Sequence, residues 1–464
     1  MVFIEDFAAV NKDRCMDRLF GTDGVRGVAG TELSCQMAYD LGRAGAHVLT
    51  DGTHHPKILV GRDTRVSGQM LESALCAGIC STGATALLVD VMPTPAIAYL
   101  TRKYNADAGV VISASHNPME FNGIKFFNAK GYKLSDEIED KIQKTIENGC
   151  KDVEVATGAQ VGKILDMNHA EDDYIDYLIS INTADISGIK VAVDCANGAA
   201  SSIAPKLFDR LGMDYVSIFD HPNGININEN CGSTHMESLC GIVKDTGCDI
   251  GLALDGDADR MLAVDETGEL IDGDQIMAVC AREMMRKNSL KSDTLVVTVM
   301  SNLGLMIFAE ENGIKIETTK VGDRYVLENI IENGYNLGGE QSGHLIFFDD
   351  NTTGDGLIAS IRLLEALANN SCNASSLGGI MKRLPQVLVN VVVSNELKNS
   401  YETDKEIVES IKALDDKYSG KGRVLIRPSG TEPLVRVMIE GVDEKMIKED
   451  AEALAELIKQ KLAL

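Results

Sequence analysis

The sequence predicts an α/β protein: three related α/β domains with mixed sheets, followed by a smaller α+β domain at the C-terminus. Three observations point there. A strand–loop–helix–strand unit recurs three times, each unit is followed by a second and more polar motif, and the pattern changes near residue 381. At 464 residues the chain has room for three or four domains of ordinary size.

The first unit runs through KILVGRDTR (57–65), the helical stretch GQMLESALCAGICSTG and the strand ALLVD. The second is KVAVDCANG (190–198), SSIAPKLFDRLG and DYVSIFD, and the third is TLVVTVMSN (294–302), LGLMIFAEENG and IKIETT. Short apolar runs alternating with helices fit sheets buried on both faces. Gly83, Gly212 and Gly313 stand near the helix ends, where a left-handed cap is expected. Further on, VLVNVVVSN alternates as a strand and ETDKEIVESIKALDDKY reads as an amphipathic helix. GRVLIRPSGTEPLVRVMIEG reads as strand–loop–strand, and EKMIKEDAEALAELIKQKLAL as a closing helix. The Asn-, Ser- and Gly-rich stretch 369–385 reads as a linker. These boundaries divide the chain at 1–158, 159–268, 269–380 and 381–464.

Composition removes several partners. Seventy acidic against 44 basic residues give a net charge of −26, which repels nucleic acid and anionic membrane. At first sight it repels phosphorylated metabolites too. The eleven cysteines include no C-x-x-C pair and read as buried thiols in a reducing compartment, not disulfides or zinc ligands. The opening MVFIEDFAAVNKDR lacks a signal-peptide pattern, and no apolar run approaches the roughly 18 residues a membrane span needs. A cytoplasmic protein is expected.

The polar motifs carry the chemistry. GVVISA (109–114) runs into Ser115-His116-Asn117-Pro118, which places a serine at a strand tip before an X-Pro bend. That serine is either a nucleophile or phosphate acceptor, or a plain capping residue. In NGIKFFN (122–128), Lys125 either snorkels outward or faces the cleft, where desolvation lowers its pKa and suits it to proton transfer. LALDGDADR (252–260) sets Asp255, Asp257 and Asp259 in five residues, with Arg260 beside them to orient the carboxylates or touch a phosphoryl oxygen. Three such carboxylates ionise together only with a cation, and oxygen ligands with room for a phosphate favour Mg²⁺. A solvated acidic turn is the plainer reading. GGEQSGH (338–344) offers Glu340, Ser342 and His344 on a Gly-rich turn. RPSGTEP (427–433) supplies Arg427, Ser429, Gly430 and Thr431 as parts of a phosphate nest, or else a β-turn, and Arg436 follows on the next strand. GTDGVRG (21–27) is a further Gly-rich loop with Arg26 as its cation. No dinucleotide or Walker A fingerprint occurs.

Taken in order, FGTDGVRG, SASHNP, NGIKFF, DGDADR, VGDRYV, GEQSGH and RPSGTEP resemble the α-D-phosphohexomutase superfamily over essentially the whole chain. The GTDGVRG opening and the GEQSGH loop look like its members that act on glucosamine phosphates; phosphoglucomutases and phosphomannomutases share the other motifs. The resemblance implies four domains around a central cleft, a phosphoserine at Ser115, and Mg²⁺ held by Ser115, Asp255, Asp257 and Asp259. It implies that Glu340 and Ser342 grip the sugar, with Arg427, Ser429, Gly430 and Thr431 on its distal phosphate. Lys125 and His344 match proton-transfer positions, and Arg26 and Arg324 match cleft positions. The implied reaction interconverts glucosamine 6-phosphate and glucosamine 1-phosphate through glucosamine 1,6-bisphosphate, toward UDP-N-acetylglucosamine, in a monomer or homodimer whose partner is a phosphosugar. Ala258 departs from the Gly often found there, but no ligand is lost.

Overall fold

The computed structural model describes residues 18–21, 23–50, 55–394, 396–428 and 433–462. Its strands form four sheets. The first contains β1 (Val25–Val28), β2 (Lys57–Arg62), β3 (Thr85–Val91), β4 (Ala108–Ile112), β5 (Phe121–Asn128) and β6 (Ile164–Asp166), in the order β1-β5-β4-β2-β3-β6. The second contains β7 (Lys190–Asp194), β8 (Asp214–Ile218), β9 (Ile250–Leu254), β10 (Met261–Asp265) and β11 (Leu270–Ile271), ordered β11-β10-β9-β7-β8. The third contains β12 (Thr294–Thr298), β13 (Lys315–Thr319), β14 (Leu337–Gly339) and β15 (Leu345–Phe347), ordered β13-β12-β14-β15.

The recurring units of the sequence are recurring topology. In each of these sheets the unit's first strand (β2, β7 or β12) pairs parallel with its second (β3, β8 or β13). On its other side it pairs parallel with β4, β9 or β14. That strand then turns back into an antiparallel neighbour, β5, β10 or β15. Parallel pairs need long crossovers, and helices such as Val66–Ser81, Ile203–Arg210 and Leu303–Glu311 provide them. The predicted left-handed glycines are found after them, with φ of 90° at Gly83, 68° at Gly212 and 69° at Gly313.

Burial explains the apolar strands. In β2, Ile58 and Val60 face one core and Leu59 another, the period-2 alternation of a strand covered on both sides. The core containing Leu59 is continuous through the first three sheets, taking in Val191 and Val193 of β7 and Leu295 and Val297 of β12. The fourth sheet, β16 (Gln386–Val392), β17 (Gly422–Pro428) and β18 (Leu434–Gly441), is antiparallel in the order β16-β18-β17. Helices Lys405–Tyr418 and Glu444–Leu462 complete its separate core, within residues 387–462. The expected fold class is therefore what is seen.

The stretch 369–385 is less of a linker than its composition suggests. It contains the short helix Ala374–Gly378, and Ala374, Leu377 and Met381 are buried in the large core. Asn, Ser and Gly here cap and turn the chain; they do not set it loose. The described cysteines are free thiols. No described helix is long and apolar enough to cross a membrane.

Candidate active site

The three polar motifs occupy one topological position. SASHNP joins β4 to β5, DGDADR joins β9 to β10, and GEQSGH joins β14 to β15, each at the carboxyl end of a parallel strand. Ligands bind at such strand ends in α/β sheets. The structure packs the first two loops together.

Ser115 is 1% exposed and adopts φ 53°, a left-handed conformation that costs a non-glycine residue roughly 1–2 kcal/mol. Its Oγ donates to Asp255 Oδ2 at 2.6 Å. Asp255, Asp257 and Asp259 are all buried, with one oxygen of each within 4.8 Å of the others. Burial, then Asp259 and Asp257, push Asp255 well above the usual carboxylate range. Asp257 Oδ2 instead accepts from Lys125 Nζ (2.8 Å) and Thr94 Oγ1 (2.6 Å). Burial opposes ionisation there, yet Lys125 and these hydrogen bonds hold its carboxyl far below the usual range. One oxygen each of Asp257 and Asp259 is buried with no hydrogen-bond partner. A cluster of hard oxygen donors with unmet acceptor capacity fits a divalent cation. No other group of potential ligands of this kind occurs among the described residues.

Lys125, on β5, faces inward and is 2% exposed. It lies 2.9 Å from Asp23 Oδ2 as well as against Asp257. Burial does lower its pKa, but Asp23 and Asp257 outweigh burial and the net shift is upward. Of the two positions the sequence allowed, Lys125 takes the inward one and is desolvated; the two carboxylates that overrule desolvation lie far off in the chain. Lys125 is an ammonium in this arrangement.

The same chain of charges reaches the third sheet. Lys133 Nζ bridges Asp23 Oδ1 (2.7 Å) and Asp323 Oδ2 (2.6 Å), and Asp323 Oδ2 lies 3.4 Å from His344 Nε2. His344 Nδ1 is 3.6 Å from Asp259 Oδ2. Burial lowers the pKa of His344, while Asp259 and Asp323 raise it by more. The backbone N–H of Gly354 nevertheless points at Nε2 from 3.2 Å, which requires a lone pair there. We therefore assign a neutral ring with its proton on Nδ1, toward Asp259. A Cβ at Gly354 would lie 2.4 Å from Nε2, so only glycine allows this approach.

Other predicted residues are placed as follows. Arg26, on β1, pairs with Asp23. The backbone N–H of Arg260 donates to Asp255 Oδ1 (3.2 Å), and its Nε lies 3.8 Å from Asp259 and is buried without a hydrogen-bond partner. Glu340 Oε1 accepts from the N–H of Gly322 (3.1 Å), and Ser342 is exposed. Arg324 turns to Asp136 (2.6 Å) and Glu328 (3.0 Å) and does not join the carboxylate cluster. Arg427 and Arg436 stand opposite each other on β17 and β18. Burial, then Arg436, lower the pKa of Arg427, and its Nε has no hydrogen-bond partner. Ser429, Gly430 and Thr431 lie outside the described residues.

Comparison with known proteins settles the family. Family models for domains I, II, III and the C-terminal domain of phosphoglucomutase/phosphomannomutase match residues 17–152, 172–268, 272–387 and 388–457. A phosphoglucosamine mutase of Clostridium botulinum (strain Alaska E43 / Type E3) is 59% identical over 447 residues, covering 96% of this chain and 100% of that protein. The chain belongs to the phosphoglucosamine mutase family. A relative of the same name from Clostridium novyi is 57% identical, covering 96% of this chain and 99% of its own length. Among solved structures, a phosphoglucomutase/phosphomannomutase family protein of Burkholderia thailandensis has a TM-score of 0.81 at 25% identity, covering 96% of this chain and 97% of its own. The N-acetylphosphoglucosamine mutase of Aspergillus fumigatus, in complex with GlcNAc-6P and magnesium, shares the fold at TM-score 0.70 and 18% identity, over 95% of each chain.

Sequence reasoning in this family found the loops but missed the groups that connect them. Asp23 and Asp323 sit inside quoted motifs, GTDGVRG and VGDRYV, yet neither was singled out. Lys133 sits in no motif, and nothing in its local sequence marks it. His116 lies 3.4 Å from Ser115 Oγ, and its pKa is pushed down to about 4 by burial, Arg260 and Arg26. It is a neutral neighbour of the serine at physiological pH.

Proposed function

We propose that the chain interconverts glucosamine 6-phosphate and glucosamine 1-phosphate, with Ser115 as the phosphoryl carrier and a sugar 1,6-bisphosphate as intermediate. The observation that carries this is Ser115 Oγ hydrogen-bonded inside a buried three-aspartate cluster that has unsatisfied oxygens. Phosphorylated Ser115 gives its phosphoryl group to the free sugar hydroxyl; the P–Oγ bond breaks, a P–O bond to the sugar forms, the hydroxyl proton passes to a base in the cleft, and Ser115 Oγ takes up a proton. After the bisphosphate reorients, Ser115 Oγ recovers a phosphoryl group from the other position.

Asp255, Asp257 and Asp259 would hold magnesium, which neutralises charge on the transferring phosphoryl oxygens when bound. Lys125, kept charged between Asp23 and Asp257, places a further positive charge beside that group. His344 keeps a proton on Nδ1 and, with Lys125, is a candidate carrier of the exchanged proton. Arg260 stands beside the carboxylates with an unmet donor. Glu340 and Ser342 are assigned to the sugar, and Arg427 with Arg436 to the phosphate that is not being transferred. The net charge of −26 does not oppose such a substrate: at physiological salt the Debye length is about 8 Å. Local cations therefore outweigh distant surface acids.

Intact mass measurement should find one added phosphate, lost in Ser115→Ala along with turnover. Normal turnover by Ser115→Ala ends the phosphoserine reading. A higher kcat/KM for glucose 1-phosphate than for glucosamine phosphates ends the amino-sugar assignment.

A further inference from the structure

The Ser115 loop is held from below by two side chains from opposite sides of a domain boundary. Arg65 Nη2 donates to the carbonyls of Ser115 (3.1 Å) and Asn117 (2.5 Å). Asn228 Nδ2 donates to the same two carbonyls, at 2.9 and 3.1 Å. Arg65 comes from the loop after β2, within the matched domain I, and Asn228 from the loop after β8, within the matched domain II. Both are buried. Arg65 is itself anchored by an ion pair to Asp63, and Asn228 by its backbone N–H to the carbonyl of Ala196 (2.9 Å).

Nothing in the chemistry assigned to Ser115 requires four N–H contacts on the carbonyls of Ser115 and Asn117. They do fix where its Oγ points. With both carbonyls drawn down onto Arg65 and Asn228, the left-handed Ser115 peptide is pinned and its side chain is turned toward Asp255. The opposing wall is equally close. A Cβ on Gly256 would lie 2.6 Å from the Ser115 carbonyl oxygen and 2.8 Å from Asn228 Nδ2. The DGDADR loop thus closes over the clamp through a glycine, and Asn228 lies beneath both the serine and the aspartate loop. Neighbouring contacts stitch the same seam: Thr64 Oγ1 donates to the Asn197 carbonyl (2.6 Å) and the Val66 N–H to the Gly224 carbonyl (2.8 Å).

We propose that Asn228 is a positioning residue for phosphoryl transfer: with Arg65 it clamps the Ser115–Asn117 backbone across the domain boundary and holds the serine in register with the aspartates. Misplacing reacting atoms by about 1 Å costs on the order of 100-fold. This inference rests on Ser115 being the phosphoryl carrier.

The test uses the full chain, phosphorylated with glucosamine 1,6-bisphosphate and then mixed with glucosamine 6-phosphate in a single turnover. Because Ser115 regains a phosphoryl group at the end of the cycle, the bisphosphate carries radiolabelled phosphate, and passage of label from the protein to sugar phosphate is followed in quenched samples. Asn228→Ala should lower the first-order rate constant about 10- to 100-fold while the fraction of phosphoserine that reacts stays near that of the unsubstituted protein. Asn228→Asp, which sets a carboxylate against two carbonyls, should lower it at least as far. A purely structural residue changes the reacting fraction, through unfolded protein, and not the rate constant. A rate constant within twofold of the unsubstituted protein, or a loss confined to the reacting fraction, overturns the clamp. An unsubstituted phosphoprotein that transfers nothing overturns the phosphoserine reading instead, and the clamp falls with it.

Discussion

The serine–aspartate seam and the attachment of the C-terminal sheet are two domain boundaries built on different principles. At the seam, one hydrophobic core runs continuously through the first three sheets, and backbone-directed hydrogen bonds fix the loops on top of it. The fourth sheet keeps its own core and meets the third sheet at a polar node. There the fully buried Glu440 of β18 accepts from Asn302 Nδ2 (3.1 Å) and the Leu303 N–H (3.3 Å) and pairs with Arg423 (2.7 Å). Arg423 also donates to the Ser301 carbonyl (2.8 Å). A continuous core resists small displacements, because packed interiors are dense. A polar node on a separate core lets a sheet turn as a body. The residues proposed for bond making sit on the side fixed by the continuous core and the paired arginines Arg427 and Arg436 on the sheet with its own core, a division suited to the proposed substrate reversal between two half-reactions.

The largest effect should come from breaking the fixed side. Asp257→Ala removes the acceptor of Thr94, one of the two carboxylates on Lys125 and one of the three clustered carboxylates. We expect kcat to fall on the order of 1000-fold with KM little changed, by analogy with the loss of one preorganised electrostatic group. Steady-state kinetics with glucosamine 1-phosphate tests this; a loss expressed in KM alone would place Asp257 outside the transferring centre.

Next in size is the node. Glu440→Ala leaves Arg423 without its carboxylate and removes one of the two acceptors of Asn302 Nδ2, the Leu384 carbonyl remaining. Breaking such a buried pair costs roughly 3 kcal/mol. The C-terminal sheet should melt or be cut by protease first, near residues 383–386, while the three-sheet core unfolds as before. Calorimetry that still shows one transition at the original temperature would mean that the node contributes little and the contrast is overstated.

Arg427→Ala is the third test and addresses the separately cored side. Losing a charge-assisted phosphate contact costs about 1.5–3 kcal/mol. KM for either sugar phosphate should rise roughly 10- to 100-fold, with a smaller effect on kcat. A kcat loss at constant KM would move Arg427 from gripping to chemistry and erase the division of labour.

How much of this was legible follows from how each feature is encoded. Ser115, the aspartate triplet and the Glu340 loop are written in contiguous residues, because each strand–turn–strand must carry its chemistry within a few positions. The repeats were readable for the same reason, since apolar alternation is local. Asn228, Arg65, Lys133 and Glu440 were not. Asn228 and Ser115 are 113 positions apart, and Lys133 and Asp323 are 190 apart. An asparagine or lysine in a loop carries no sign of which distant carbonyl or carboxylate it will meet. Lys125 shows the same limit: its neighbours left an outward and a cleft-facing position both open, and the carboxylates that reverse its shift come from elsewhere in the fold. The stretch 369–385 failed in the opposite direction, because small polar residues mark caps and turns as readily as linkers.

The smallest effect concerns pH, and it separates the two boundaries most finely. Asp274 lies in the first turn of helix Gly273–Arg286, directly beneath the node, and its Oδ2 accepts from the Asn302 N–H at 2.7 Å. Burial raises its pKa to about 7 against the hydrogen bond from Asn302, and Asp272 and Glu440 push the same way as burial. The folded state therefore holds a proton that the unfolded chain has released above its ordinary carboxylate pKa. This stabilisation is complete below about pH 4, shrinks as pH rises, and is gone above about pH 7. Asp274→Asn keeps the acceptor and removes the titration. Denaturant midpoints measured from pH 5 to pH 8 should fall for the unsubstituted chain and fall less for Asp274→Asn, with a difference of about 2–3 kcal/mol across that range. Because Asp274 borders the C-terminal sheet at the node, through Asn302 and beside Glu440, the difference should appear in the transition of that sheet. If Asp274→Asn instead shifts the unfolding of the three-sheet core, the carboxyl serves the fixed side, and the node loses its claim to be a separate, pH-tuned attachment.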